Sequence, residues 1–248
     1  MKKITLLLLA TLIAFANLNA QDLSLDEILN NYYEVMGLKN YDDINSIIMN
    51  GKSVNSGMET PFTITTVKPD KFRLEVDIQG QKMVQAYNSG SAWYIAPWTG
   101  TLEPQDLPPE QIKSMKRQAD MEGPLYKYQE KGNTVELLGK EDMEGSEVYL
   151  VKLTFPDGDS QTYYIDAENF VILKEKSITT MRGQEITAET FYSDFKPEGD
   201  LMMAHSFEVK MNGQTGQAVV IETVKFNESV DETIFDKPVK KEAEAEKE

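Results

Sequence analysis

The chain has no cysteine, one histidine and two tryptophans in 248 residues. Without cysteine there is no disulfide, no thiol nucleophile and no thiolate metal site, so an exported chain of this kind must draw its stability from a core. The single histidine, His205, leaves a histidine triad or a histidine metal cluster with one candidate and no second. Positive charge is also short: 25 Lys and Arg stand against 41 Asp and Glu, for a net charge of −16. That balance argues against nucleic acid and against nonspecific attachment to anionic lipid heads. No glycine-rich loop follows a strand and opens a helix, which removes the usual phosphate cradles. Carboxylates are plentiful, so hydrolysis by a carboxylate pair stays open as a third reading, decided only by distances in space.

One long apolar run is present, at the N-terminus. Lys2 and Lys3 precede the apolar stretch Ile4 to Ala16, and Asn17-Leu18-Asn19-Ala20 ends in a small residue. Residues 1–20 read as a secretory signal peptide, too short for a membrane anchor, with maturation expected after Ala20. Losing the two lysines takes the net charge from −16 to −18. With no cysteine at the cleavage site for acylation, the mature chain is expected free in an extracytoplasmic compartment. Residues 21–238 are expected to form one domain, and 239–248, mostly Lys, Glu and Ala, a charged disordered tail.

Ser24-Leu25-Asp26-Glu27 is a capping box, flanked by a Leu23/Ile28 hydrophobic staple. Leu25, Ile28, Leu29, Tyr32 and Met36 share one side of the helix this predicts, from Leu25 to Met36, with Gly37 as its C′ residue. Strand patterns then follow at short intervals: Ile44–Ser53, Glu59–Lys68, Lys71–Ile78, Gln81–Asn88 and Ser91–Ala96. In the third, Phe72, Leu74, Val76 and Ile78 alternate with Arg73, Glu75 and Asp77, the period of a strand with one dry and one wet face. The turns between them, Asn55-Ser56-Gly57, Lys68-Pro69-Asp70, Gln79-Gly80 and Asn88-Ser89-Gly90, are too short for parallel crossovers, so a meander is expected. The stretch from Trp98 to Lys131 interrupts the rhythm. Asp106-Leu107-Pro108-Pro109 starts a helix near Glu110, in which Ile112, Met115 and Ala119 share a face while Lys113, Lys116 and Arg117 are expected in water. A second short helix is read near Pro124 to Tyr128. Strands resume at Thr134–Gly139, Ser146–Phe155, Ser160–Asp166, Val171–Thr180, Gln184–Phe195, Leu201–Met211 and Thr215–Asn227.

So the chain is mainly β (α+β). Roughly eleven to twelve antiparallel strands of this kind curl into a barrel or split rather than stay flat. Phe72/Leu74/Val76, Phe191/Phe195 and Phe207/Val209/Met211 are expected to line one concave surface, with the interrupting segment as its cover. The twelve methionines, Met83, Met115 and Met211 among them, suit a site for ligands of variable shape, or ordinary core filling. His205, in a row with Met203 and Phe207, reads as a core residue. Asp157-Gly158-Asp159 resembles a fragment of a calcium loop but, without the rest of that pattern, reads as a hairpin turn.

The runs TTVKPDKFRLEV and QAYNSGSAWYIAPWTG, then YYIDAENFVILKEKS, SDFKPEGDLMMAHSFEV and VDETIFDKP, resemble the LolA/LolB-like family of periplasmic outer-membrane lipoprotein carriers and lipoprotein-sorting proteins. The resemblance runs from about Leu25 to Pro238. It implies an incomplete antiparallel barrel with short helices plugging its mouth. The apolar concave face would carry acyl chains of lipoproteins, or another lipid, to the outer membrane. The lipid-binding residues expected on this basis are Phe72, Leu74, Val76, Met83, Trp93, Ile95, Ile112, Met115, Phe207 and Met211. Lys68 stands where the carriers have an arginine that helps close the lid; its charge is kept but the planar fork is not. The resemblance implies no catalytic residue, cofactor or metal. The expected partners are an acylated cargo and membrane-bound loading and receiving proteins, with the carrier itself a monomer. A second reading is an envelope scaffold or interaction domain that reuses the fold without lipid, its interior filled by its own side chains.

Overall fold

The computed structural model describes residues 23–55, 57–181 and 184–239. The segment expected to be a signal peptide, residues 240–248 of the expected charged tail, and the turn positions Ser56, Arg182 and Gly183 lie outside the described residues.

Helix α1 (Leu25–Met36) forms as its caps dictate. Ser24 Oγ accepts from the Glu27 amide, the Glu27 side chain returns to the Ser24 amide, and Gly37 closes the C-terminus at φ 69°. Among the described residues, thirteen strands follow in one sheet. The first run is β1 (Ser46–Asn55), β2 (Met58–Val67), β3 (Lys71–Ile78), β4 (Gln81–Asn88), β5 (Ser91–Ile95) and the two-residue β6 (Gln105–Asp106). The chain then passes through helix α2 (Pro109–Gln118) and a series of turns over residues 124–131, where a second helix was expected. These turns are anchored by their backbone: Tyr33 donates its hydroxyl to the Leu125 carbonyl, and Asn133 Nδ2 donates to that of Pro124. The second run is β7 (Thr134–Met143), β8 (Ser146–Thr154), β9 (Ser160–Asp166), β10 (Ile172–Met181), β11 (Gln184–Glu198), β12 (Leu201–Met211) and β13 (Gln214–Phe226).

Every pairing is antiparallel, and the order is β6-β5-β4-β3-β2-β1-β13-β12-β11-β10-β9-β8-β7. Two meanders are thus joined at the middle by the first and last strands, from Ile47 opposite Phe226 to Val54 opposite Ala218. The sheet does not close: β6 and β7 are its edges, and the segment carrying α2 crosses from one to the other. This is the incomplete antiparallel barrel the strand count implied.

Both helices lie on the same, inner, face. α1 brings Ile28, Leu29 and Tyr32 against Tyr149, Val151, Leu153, Tyr163 and Ile165 of β8 and β9, with Ile47 and Leu201. Burying each such side chain contributes about 1.5–3 kcal/mol, so this half of the interior is a solid core. The other half belongs to α2, whose Met115 and Ala119 cover Phe72, Tyr87, Ala92 and Leu107, with Ile64, Leu74, Tyr94 and Ile112 packed around them.

Candidate functional site

Strand pairing settles which residues face inward. Phe72, Leu74 and Val76 of β3 stand opposite Tyr87, Gln85 and Met83 of β4, and opposite Thr66, Ile64 and Phe62 of β2. Paired residues share a face, so these form one continuous inner wall, partly covered by Ile112 and Met115 of α2. On the far side of the central pair, Phe207 of β12 stands opposite Val219 of β13 and Tyr192 of β11, and meets the Tyr192 ring edge-to-face at 5.5 Å. Met211 continues the Phe207/Val209 row to its exposed end.

Trp93 and Ile95 do not join this wall. In β5 it is Ala92, opposite Tyr87, and Tyr94, opposite Gln85, that face inward. Alternation therefore turns Trp93 and Ile95 outward, beside Val84 and Ala86. The C-terminal 3-10 turn Glu232–Phe235 docks there. Trp93 Nε1 donates to the Phe235 carbonyl at 2.9 Å, Arg73 donates to that of Ile234 at 2.6 Å, and Phe235 is fully buried. Trp93 is the clip for this turn. Phe191 and Phe195 also face outward: Phe191 pairs with Glu208 and Lys174, and Lys210 Nζ lies 4.4 Å from its ring centroid.

α2 spans the gap between the two edges and is held differently on each side. Its apolar side rests on β3–β5. Its other side is tied to the β8–β9 turn, because Lys113 and Arg117 are ion-paired rather than free in water. Arg117 Nη2 lies 2.9 and 2.8 Å from the two Asp157 carboxylate oxygens and Nη1 donates to Asp159 at 2.8 Å, while the guanidinium lies 3.8 Å over the Phe155 ring. Lys113 Nζ reaches both carboxylates, at 3.1 and 2.6 Å, and Thr179 donates to Asp159. Asp157-Gly158-Asp159 is thus a hairpin turn with a task, anchoring the cover. Lys68 acts one step further along: it donates to the Tyr41 carbonyl and stands 3.8 Å from Glu122, just beyond α2, where Lys127 and Lys131 also converge at 3.8 Å. Arg117 makes closer ion pairs than Lys68 does. An amphipathic pattern identifies a helix's apolar side but not the partners of its charges, so the sequence left this strap unread.

Desolvation works to raise the Asp157 and Asp159 carboxyls, but the hydrogen bonds from Lys113 and the charge of Arg117 outweigh it and hold both below the ordinary aspartate value. A carboxyl lowered on closure strengthens closure fully above its free value, near pH 4, and loses that contribution as pH falls through the lowered value. The strap is therefore expected to be intact at pH 7 and to loosen below about pH 4. The cysteine-free chain makes this measurable with spin labels at Lys116→Cys and Lys152→Cys. The inter-label distances should broaden reversibly on acidification to about pH 3, and Arg117→Ala should show the broadened distribution already at pH 7. Unchanged distances in both experiments would exclude the strap.

A cavity lies on each flank of α2. One, of about 550 Å³, is lined by Pro69, Asp70, Lys116, Arg117, Lys131 and Phe155 among others. The other, of about 600 Å³, lies between α2 and β9–β10 and is bounded by Gln161, Glu175, Ser177, Thr179, Lys113 and Arg117. Both volumes fall in the range of small-molecule sites. His205 is a core residue, with Nδ1 3.1 Å from the Ile221 carbonyl and Nε2 3.0 Å from Glu198 Oε1. Among the described residues no cluster of histidine, aspartate and glutamate could hold a metal ion.

No protein-family model and no curated protein sequence matches the chain. Solved structures do. A LolA superfamily protein from Nitrosomonas europaea superimposes with a TM-score of 0.58 at 12% identity, over 86% of this chain and 97% of its own. A DUF1329 family protein from Desulfovibrio piger gives 0.58 at 10% identity, over 84% and 97%. A putative outer membrane lipoprotein-sorting protein domain from Vibrio parahaemolyticus gives 0.53 at 12% identity, over 84% and 98%. At these identities the likeness is one of fold, and the fold is LolA-like.

Proposed function

We propose that this LolA-like chain is a soluble periplasmic carrier that shelters the acyl chains of a lipoprotein, or of another lipid, against the inner wall of β2–β4. The observation that carries the reading is the way α2 sits on that wall. Ile112 and Met115 rest on Phe72, Leu74 and their neighbours, so the apolar surface is covered by a short helix rather than by the sheet itself. An acyl chain gains about 0.8 kcal/mol for each methylene taken out of water, enough in total to displace such a cover and take its place. α2 is fixed to the opposite side by ion pairs, which leaves the apolar contact as the one a hydrocarbon can replace. Delivery requires release, which a cover with two states close in energy permits. Membrane-bound proteins that load and receive the cargo belong to this reading.

The mature protein, titrated with a fluorescent fatty-acyl probe, should take up about one probe per chain with micromolar or better affinity. Lipid extracts of protein purified from its own envelope should contain an acylated species on mass spectrometry. A chain that takes up no amphiphile is not a carrier. An interaction domain without lipid is the second reading, favoured by the solid packing of α1 against β8 and β9. Under it, a specific protein partner would be captured whether or not that partner is acylated.

A further inference from the structure

The inner surface is not apolar throughout. On β10 the inward row is Glu175, Ser177 and Thr179, opposite Tyr163 and Gln161 of β9 and Thr190 and Ala188 of β11. Glu175 is the centre of this polar wall. Its Oε1 accepts from Gln161 Nε2 at 2.9 Å and Ser177 Oγ at 2.7 Å, and its Oε2 accepts from the Tyr192 hydroxyl at 3.2 Å. All of these donors are neutral. The adjoining Lys174 points away, its ammonium 3.9 Å from the Tyr164 ring centroid and 3.4 Å from Glu189 on the outer face. Lys113 and Arg117 line the same cavity but are matched by Asp157 and Asp159. The carboxylate therefore faces a cavity of about 600 Å³ without a cation of its own among the described residues.

We infer that this wall is a subsite for a primary ammonium group on the bound amphiphile, with Glu175 as its counter-charge. This rests on the reading of the interior as a lipid site and adds the chemistry of the head group. A carboxylate has about four lone-pair positions. Among the described residues Oε2 accepts from the Tyr192 hydroxyl alone, which leaves lone-pair positions for an N–H of the ligand. Glu110 of α2 adds a second negative group to the cavity lining. Burial raises the Glu175 carboxyl, and the hydrogen bonds of Ser177 and Tyr192 pull it back only in part. An ammonium supplies the compensation that neutral donors cannot.

The test is competition. Dodecylammonium, dodecanol and dodecanoate displace the fatty-acyl probe from the full mature chain at pH 7, for wild type and for Glu175→Gln, with circular dichroism as the folding control. The expected order for wild type is ammonium over alcohol by about tenfold, with the carboxylate weakest. In Glu175→Gln the ammonium should lose that factor of about ten while the alcohol is unchanged, because the amide keeps the shape and loses the charge. Equal displacement by ammonium and alcohol in wild type would overturn the inference and leave the lipid site standing, as would an ammonium preference that survives in Glu175→Gln. If none of the three displaces the probe, or the probe does not bind, the lipid site itself fails and the subsite with it.

Discussion

Leu74→Glu is expected to weaken amphiphile binding by at least a hundredfold while leaving the protein folded. Leu74 lies in the middle of the inner wall, between Ile64 on β2 and Gln85 on β4, and packs in the cluster that α2 covers. A carboxylate there would meet each bound methylene with an unpaired charge. Burying it beside hydrocarbon costs several kcal/mol, and about 3 kcal/mol already corresponds to two orders of magnitude in affinity. The folded state loses less, because Leu74 is only half-buried and a carboxylate there keeps some access to water. The informative partner variant is Trp93→Leu. Trp93 is fully inside the protein but on the outer face, where its indole holds the C-terminal turn. Its replacement should lower thermal stability and leave probe affinity within a factor of about two. If Leu74→Glu binds as wild type does, or Trp93→Leu abolishes binding, the acyl site is not on the inner face of β3.

The contrast between those residues shows what the sequence could and could not disclose. Strict alternation in Phe72–Ile78 identified a two-faced strand, and the capping box placed α1 at Leu25–Met36. Both signals are local. Which face of the next strands is inward depends on the hairpin register, and the Asn88/Ser91 pairing puts Ala92 and Tyr94, rather than the larger Trp93, on the inner wall. The resemblance to the lipoprotein carriers had put Trp93 and Ile95 on that wall. Glu175 was hidden for a related reason. It sits in Lys174-Glu175-Lys176, three charged residues in a row that show no dry and wet face, and only the pairing with Tyr163 shows that the glutamate is the member of the triplet turned inward. β6 carries no legible pattern because two residues cannot show a period. The strap from Arg117 to Asp157 joins residues 40 positions apart, and nothing local relates them.

Gly51→Ala is expected to destabilise the fold by about 3 kcal/mol, more than its one added methyl suggests. Gly51 lies where β1 and β13 slip register: Asn50 faces Thr223, Gly51 faces Ile221, and Glu222 is left over. The two strands approach so closely at this bulge that a Cβ on Gly51 would stand 2.2 Å from the Val220 carbonyl oxygen and 2.8 Å from Phe62 Cζ. The ring could turn aside, but the carbonyl belongs to the strand that joins the two meanders. Relief would have to come from separating β1 from β13, the pairing through which the two halves of the sheet are joined. For a domain of this size about 3 kcal/mol corresponds to a fall in melting temperature of roughly 6–12 °C. Adding Phe62→Leu to Gly51→Ala removes the ring contact and leaves the carbonyl contact, so it should not restore stability. Restoration by that second change would place the strain in the ring rather than in the backbone seam. A wild-type melting temperature for Gly51→Ala alone would mean the bulge can open without cost, and that the two half-sheets are less firmly joined than their register indicates.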